Sequence, residues 1–232
     1  MVYVMSDIHG EYCKYKKMLE VIDFNDDDEL FILGDIVDRG PMPVDILYDM
    51  SMRGNVFPIM GNHEHMAMYL LRKLDVEITE ENAEGHLDAN DIKFLSVWLQ
   101  NGGETTIKNF RKYGKEEREE LLDYFDEFTP YEEINVGGRD FVLVHGGLPG
   151  FSPGKPLSEY DETEMYYTVT DYGRVYYSDK ILITGHIPTF GIDKEYDGRI
   201  MRKNNHIAID CGASYGKKLG CIRLDDMKEF YV

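Results

Sequence analysis

The chain has 232 residues, 44 acidic against 25 basic side chains, a formal net charge of -19 at pH 7 and 43% apolar residues. The apolar fraction supplies a sizeable core and excludes a disordered chain. The negative balance argues against nucleic acid as a partner but admits small phosphorylated substrates received at a local cationic site. Three cysteines, Cys13, Cys211 and Cys221, form no CxxC pair. They read as reduced thiols of a cytoplasmic protein rather than a disulfide framework. The apolar start VYVM meets Asp7 almost at once, and no apolar run of about 18 residues follows, so neither a signal peptide nor a membrane span is expected.

In chain order, Val2–Met5 reads as a short strand and 11–22 as a helix with Tyr15, Met18, Leu19 and Ile22 on one face. Acidic 26–29 reads as a solvated turn. Glu29–Leu33 is the second strand, 44–52 a helix, 56–60 the third strand and 63–74 the third helix. This alternation predicts an α/β protein built on parallel βαβ units. From about 75 to 130 the chain changes to charged helical segments. Residues 92–99 carry helical periodicity, and Leu121, Leu122, Phe125 and Phe128 form a second stripe. We read this region as a helical cap or insertion within one domain spanning 1–232. Strands then dominate at 132–136, 141–144 (after a Gly137-Gly138 turn), 181–184, 206–210 and 220–224. The tyrosine-rich segment 160–177 among them reads mainly as packing.

Each of five strands ends in a glycine beside Asp, Asn or His: SDIHG (6–10), GDIVDRG (34–40), GNHE (61–64), HGG (145–147) and GH (185–186). In α/β sheets that edge is where ligands bind, and glycine permits the sharp turns and close loop approach such a site needs. Singly, each polar residue is an ordinary cap or a hydrogen-bonded core group. Jointly, Asp7, His9, Asp35, Asn62, His145 and His186 form a ligand set. Mixed nitrogen and oxygen donors suit manganese, iron or zinc rather than calcium. Six side chains exceed one tetrahedral ion, whereas two ions sharing Asp35 would use them all.

These five motifs, in this order and spacing, resemble the phosphoprotein phosphatase branch of the calcineurin-like metallophosphoesterases, in the compact bacterial and bacteriophage-lambda form. The likeness runs from Val2 onward and is weakest over 75–129. It implies a two-sheet β-sandwich core flanked by helices in four layers, with the helical insertion. It also implies two divalent ions, manganese first and iron or zinc as alternatives. One would rest on Asp7, His9 and Asp35, the other on Asp35, Asn62, His145 and His186. By the same resemblance, a hydroxide bridging the metals attacks phosphorus. Arg39 clamps phosphate oxygens, and His63, oriented by Asp38, acts as general acid.

The pattern departs from that type in places. Met60 stands where the lambda type often carries arginine. The stretch EMYYTVTDY (164–172) holds no second phosphate-binding arginine, leaving Arg174 as the nearest candidate. Asn101-Gly102-Gly103 resembles an NGG beside the bacterial active site, making Asn101 a candidate substrate contact; a helix-ending glycine is the structural alternative. Glu64 reads as loop support, and His65, His86 and His206 as structural or solvent residues. The expected activity is a serine/threonine protein phosphatase acting on a phosphorylated protein or small phosphorylated substrate. The alternative is a symmetrical dinucleoside polyphosphate hydrolase. That group often lacks the first aspartate of the DRG triplet and reads GNHD, so Asp38 and Glu64 favour the first activity. A non-catalytic scaffold is the third reading, opposed by the intact ligand, acid and arginine positions.

Overall fold

The computed structural model describes residues 1–77, 79 and 86–232. In chain order the elements are β1 (Val2–Met5), α1 (Tyr12–Val21), β2 (Glu29–Leu33), α2 (Pro43–Ser51), β3 (Val56–Ile59) and α3 (Asn62–Leu74). Next come α4 (Ala89–Gln100), α5 (Gly103–Phe110), α6 (Lys115–Tyr124), β4 (Tyr131–Val136), β5 (Arg139–Val144) and α7 (Glu162–Tyr167). The chain closes with β6 (Lys180–Thr184), α8 (Thr189–Ile192), β7 (Met201–Lys203), β8 (His206–Ala208), β9 (Gly220–Arg223) and β10 (Lys228–Tyr231).

The strands form two five-stranded mixed sheets, ordered β10-β9-β1-β2-β3 and β4-β5-β6-β8-β7. Three strands of each sheet run parallel: β1, β2 and β3 at one side of the first, which the antiparallel pair β9-β10 extends, and β5, β6 and β8 at the centre of the second, whose edges β4 and β7 are antiparallel. Side chains alternate faces along a strand, and here both faces are apolar. Val4, Phe31, Leu33, Phe141, Leu143 and Ile183 point between the sheets and make the sandwich interior. Tyr3, Met5, Leu30, Ile32, Val142 and Val144 point outward into a second core, shared with Met18, Leu47 and Met50 on one side and Met165 and Tyr166 on the other. The flanked two-sheet sandwich implied by the motifs is therefore the observed architecture. Truncating a fully buried residue such as Leu33 to alanine would cost ~2–5 kcal/mol through the cavity left behind.

Helices α4, α5 and α6 fill the region read as an insertion. Asp88 caps α4 by accepting from the backbone N–H groups of Asn90 and Asp91. α4 packs on α3, and α5 packs on α2 and α3. Five elements, α5, α7, α8, β7 and β10, escape the sequence pattern. α5 opens with glycine and contains Thr105, Thr106 and Ile107, whose branched side chains disfavour helix. β7 and β10 are short partners of strands that were anticipated. Part of the region 75–130 read as an insertion, residues 78 and 80–85, lies outside the described residues. Among those described, the three cysteines are free, with Cys13 exposed and the other two buried. Among the described residues no helix is long and apolar enough to cross a membrane.

Candidate metal centre

The C-terminal ends of β1, β2 and β3 in one sheet and of β5 and β6 in the other meet at one edge of the sandwich. Backbone hydrogen bonds knit the loops there: Asp7 N–H donates to Gly34, His9 N–H to Asp35, Gly10 N–H to Ile36 and Gly185 N–H to His145. Gly34 shows why the motif residue is glycine. A Cβ at that position would lie 2.5 Å from the Gly61 nitrogen. Glu64, fully buried, accepts from the N–H groups of Asp35, Ile36, Val37 and Gly61 at 2.6–3.2 Å. It thereby fastens the β2 loop to the start of α3. Burial and the nearby Asp35 raise its carboxyl to about 7.

Six non-glycine residues of these loops, Asp7, His9, Asp35, Asp38, Arg39 and His186, have positive φ between 47° and 71°. Such backbone costs ~1–3 kcal/mol per residue and persists where surrounding structure enforces it, commonly at functional sites. Here it turns side chains inward. His9 Nε2 lies 3.5 Å from Asp35 Oδ2, and His145 Nε2 lies 3.3 Å from Asp35 Oδ1 and 3.1 Å from Asn62 Oδ1. The other ring nitrogens face backbone carbonyls, His9 Nδ1 that of Val37 at 2.9 Å and His145 Nδ1 that of Leu33 at 2.6 Å. That arrangement aims both Nε2 atoms at Asp35.

The two oxygens of Asp35 thus face two clusters, His9–Asp35–His63 and Asp35–His145–His186, each with ligand atoms within 4.8 Å of one another. His186 Nδ1 is buried without a hydrogen-bond partner. An orphaned imidazole nitrogen beside inward-facing carboxylates is what a nitrogen-and-oxygen metal site requires, so the residues present fit divalent ions. Asp7 belongs to neither cluster; its carboxylate accepts from Ser6 Oγ and the His186 N–H.

The electrostatics are those of crowded buried charge. Burial and Asp210 hold the Asp7 carboxyl well above the usual range. Burial would also raise Asp35, but His145 and His63 outweigh it and hold this carboxyl well below its ordinary value. Burial would lower His145, yet Asp35 lifts it to about 10. Burial and His145 push His186 down to about 4. Cations placed here would offset the mutual repulsion of the carboxylates.

Asp38 and Arg39 stand beyond the clusters and reach them through His63 of the first. His63 Nδ1 lies 2.5 Å from Asp38 Oδ2 and its Nε2 lies 3.2 Å from Arg39 Nη2. Asp38 is fully buried and accepts from Trp98 Nε1 at 2.8 Å and Thr106 Oγ1 at 2.5 Å. The guanidinium of half-buried Arg39 rests against Ser214 and the Tyr215 ring.

Two sequence candidates sit elsewhere. Exposed Asn101 donates its amide to the Val97 carbonyl, closing α4. The part of the NGG that reaches the site is backbone, since the Gly102 carbonyl accepts from Arg39 N–H. A Cβ on Gly103 would meet the Trp98 ring at 2.5 Å. Exposed Arg174 engages Phe151 and Tyr176 rather than any of the six ligand residues. Conversely, the sequence reading passed over Trp98, Thr106 and Asp210. Asp210 is buried near Asp7 just past β8, and its carboxyl is raised to about 7 by burial first. The strand-exit pattern IDCG carries its signal; Trp98 and Thr106 carry none until α4 and α5 are folded.

Residues 1–212 match the calcineurin-like phosphoesterases, and the chain belongs to that family. It is a metallophosphoesterase by fold and family. Among named relatives, the symmetrical bis(5'-nucleosyl)-tetraphosphatase of Wigglesworthia glossinidia brevipalpis is 36% identical over 100 residues, 42% of this chain and 37% of the relative. That of Chromobacterium violaceum is 24% identical over 182 residues, 75% of this chain and 55% of the relative. The matched stretches thus span less than two thirds of either relative. Among solved structures, a candidate diadenosine tetraphosphatase aligns with TM-score 0.66 at 16% identity, covering 100% of this chain and 92% of the other. A serine/threonine phosphatase of Saccharomyces cerevisiae gives 0.55 at 16% identity, covering 100% and 78%. These structural likenesses speak to the fold alone. The named relatives carry the activity read from the motifs as the alternative, not the protein phosphatase activity read first.

Proposed function

We propose that the chain hydrolyses a phosphoanhydride bond of dinucleoside polyphosphates at a centre for two divalent ions. The observation that carries the chemistry is Asp35, whose two oxygens face separate clusters of histidines. The substrate rests on the names of the relatives. It is consistent with phosphate capture through a single arginine, since Met60 is buried in the core and Arg174 is engaged elsewhere. In this reading Asp7, His9 and Asp35 would hold one ion and Asp35, Asn62, His145 and His186 the other. Bound there, such ions supply Lewis acidity to the attacking water and to a phosphate oxygen. Arg39 orients the scissile phosphoryl group through its guanidinium fork. His63, fixed by Asp38, carries the proton that the leaving oxygen takes up. Symmetrical hydrolysis of a tetraphosphate consumes one water and releases two nucleoside diphosphates.

A second reading, phosphomonoester hydrolysis, draws on one observation. The buried Asp38–His63 pair, reinforced by Trp98 and Thr106, is an elaborate support for a proton donor. Alkoxide leaving groups need such a donor more than nucleoside diphosphates do. Side-by-side turnover of diadenosine tetraphosphate and a phosphoserine peptide, with manganese present, separates the two. Faster release of adenosine diphosphate supports the first reading, and turnover of the peptide alone overturns it.

A further inference from the structure

Between α3 and α4 lies a cleft of about 440 Å³, lined by His65, Tyr69, Asn90, Lys93, Phe94 and Val97 among others. That volume falls within the range of small-molecule sites, roughly 300–1,000 Å³. The metal-centre reading leaves it without a task. Its walls are aromatic: Phe94 meets Tyr69 edge-on at 5.6 Å and His65 at 6.1 Å between ring centroids. The cleft is also anchored. Asp91 accepts from the Tyr69 hydroxyl at 2.7 Å and from Lys73 Nζ at 2.6 Å, locking α4 to α3. Val97 is 41% exposed on the rim, and the polar ends of Asn90 and Lys93 stand exposed beside it.

Tyr167 stands between the cleft and the metal centre. The Tyr167 hydroxyl lies 3.1 Å from His65 Nδ1 on the cleft side and 3.5 Å from the Asn62 carbonyl on the other. One helix, α3, carries Asn62 and His63 at its start and the cleft residues His65 and Tyr69 further along. From Asn62 to Tyr69 it rises about 10 Å, a span that a ribose and its first phosphates can bridge.

We propose that this cleft seats the nucleobase of the substrate, a subsite that rests on the dinucleoside polyphosphate reading above. The base lies against the Phe94 and Tyr69 rings, as bases do on exposed aromatic side chains. Asn90 and Lys93 face its polar edge or the ribose. The phosphate chain runs past Tyr167 to Arg39 and the Asp35 clusters. An aromatic slot with few polar groups at its rim binds a flat heterocycle in one orientation.

The test compares native chain, Val97→Trp, which fills the cleft from its exposed rim, and Phe94→Ala, which removes a wall. Each is assayed on diadenosine tetraphosphate and on p-nitrophenyl phosphate, which has no base. Both variants should raise KM for the dinucleotide about ten-fold, the loss of one stacked base, and leave p-nitrophenyl phosphate turnover unchanged. Adenosine should compete with the dinucleotide in the native chain but not in Val97→Trp. If the native chain hydrolyses the dinucleotide and Val97→Trp keeps its KM, the subsite is wrong while the proposed function stands. Equal losses on both substrates also overturn the subsite, because a base site is blind to p-nitrophenyl phosphate. A native chain inert toward the dinucleotide but active on phosphoserine peptide removes the functional reading and the subsite together.

Discussion

Trp98 Nε1 donates to Asp38 Oδ2 at 2.8 Å, the same oxygen that lies 2.5 Å from His63 Nδ1. Helix α4 therefore holds the carboxylate that would orient the proton donor. The chain has one tryptophan, and it is fully buried at this contact. Trp98→Phe keeps a ring in place but strips one donor from a buried carboxylate, a bond to a charged group worth ~1.5–3 kcal/mol. We expect an alkyl phosphomonoester to be turned over about ten-fold more slowly, in line with that loss, while p-nitrophenyl phosphate is affected less. An equal loss on both substrates would remove Trp98 from the proton-donor apparatus.

His63→Ala extends the same logic. General acid catalysis contributes roughly 10²–10⁴-fold, and its share grows as the leaving group becomes more basic. Turnover of phosphoserine should fall across that range, and diadenosine tetraphosphate turnover much less. A flat dependence on leaving-group pKa contradicts the acid role.

Glu64→Gln tests the loop architecture. The carboxylate accepts from four backbone N–H groups, and an amide would direct its own N–H against at least one of them. Buried mismatches of this kind cost ~1–3 kcal/mol. The expected result is a lower melting temperature together with weaker manganese binding, read by calorimetry. Native affinity at a reduced melting temperature would separate Glu64 from the metal loops.

Acid should loosen α4 from α3 through Asp91. The hydrogen bonds from Lys73 and Tyr69 lower its carboxyl from 3.8 to about 2. A depressed folded value means that the stabilisation is complete above the unfolded value and fades as pH falls from about 4 toward 2. Trp98 sits on the same helix, so its fluorescence reports the loosening. Asp91→Asn should abolish the part of the acid transition in that window, and an unchanged titration would assign it to other groups.

Much of this was legible in the sequence because the relevant signals are local. Val2–Met5 and Leu30–Leu33 are continuous apolar runs, each followed at once by a glycine-containing polar loop, and they emerge in adjacent interior strands of the first sheet. The parallel pairing follows from helices interposed between them. The six ligand candidates announced themselves by recurring at strand exits. What stayed hidden depends on chain returning from a distance. Thr106 reaches Asp38 across 68 residues of sequence, and it lies in a β-branched stretch with no helical signature. β7 joins β8 through Asn204-Asn205, both at positive φ, a two-residue turn whose strands are too short to show alternation. Asn101 and Arg174 are candidates only by their position along the chain. Their side chains instead satisfy the nearest partner, a helix-end carbonyl and a pair of aromatic rings.

The central claim is that one carboxylate joins two cation sites, and metal content per chain tests it most directly. Elemental analysis of native protein dialysed against manganese should find two ions per chain, and Asp35→Asn should lose occupancy at both positions. Two ions retained in Asp35→Asn, or none bound by the native chain, would contradict the account.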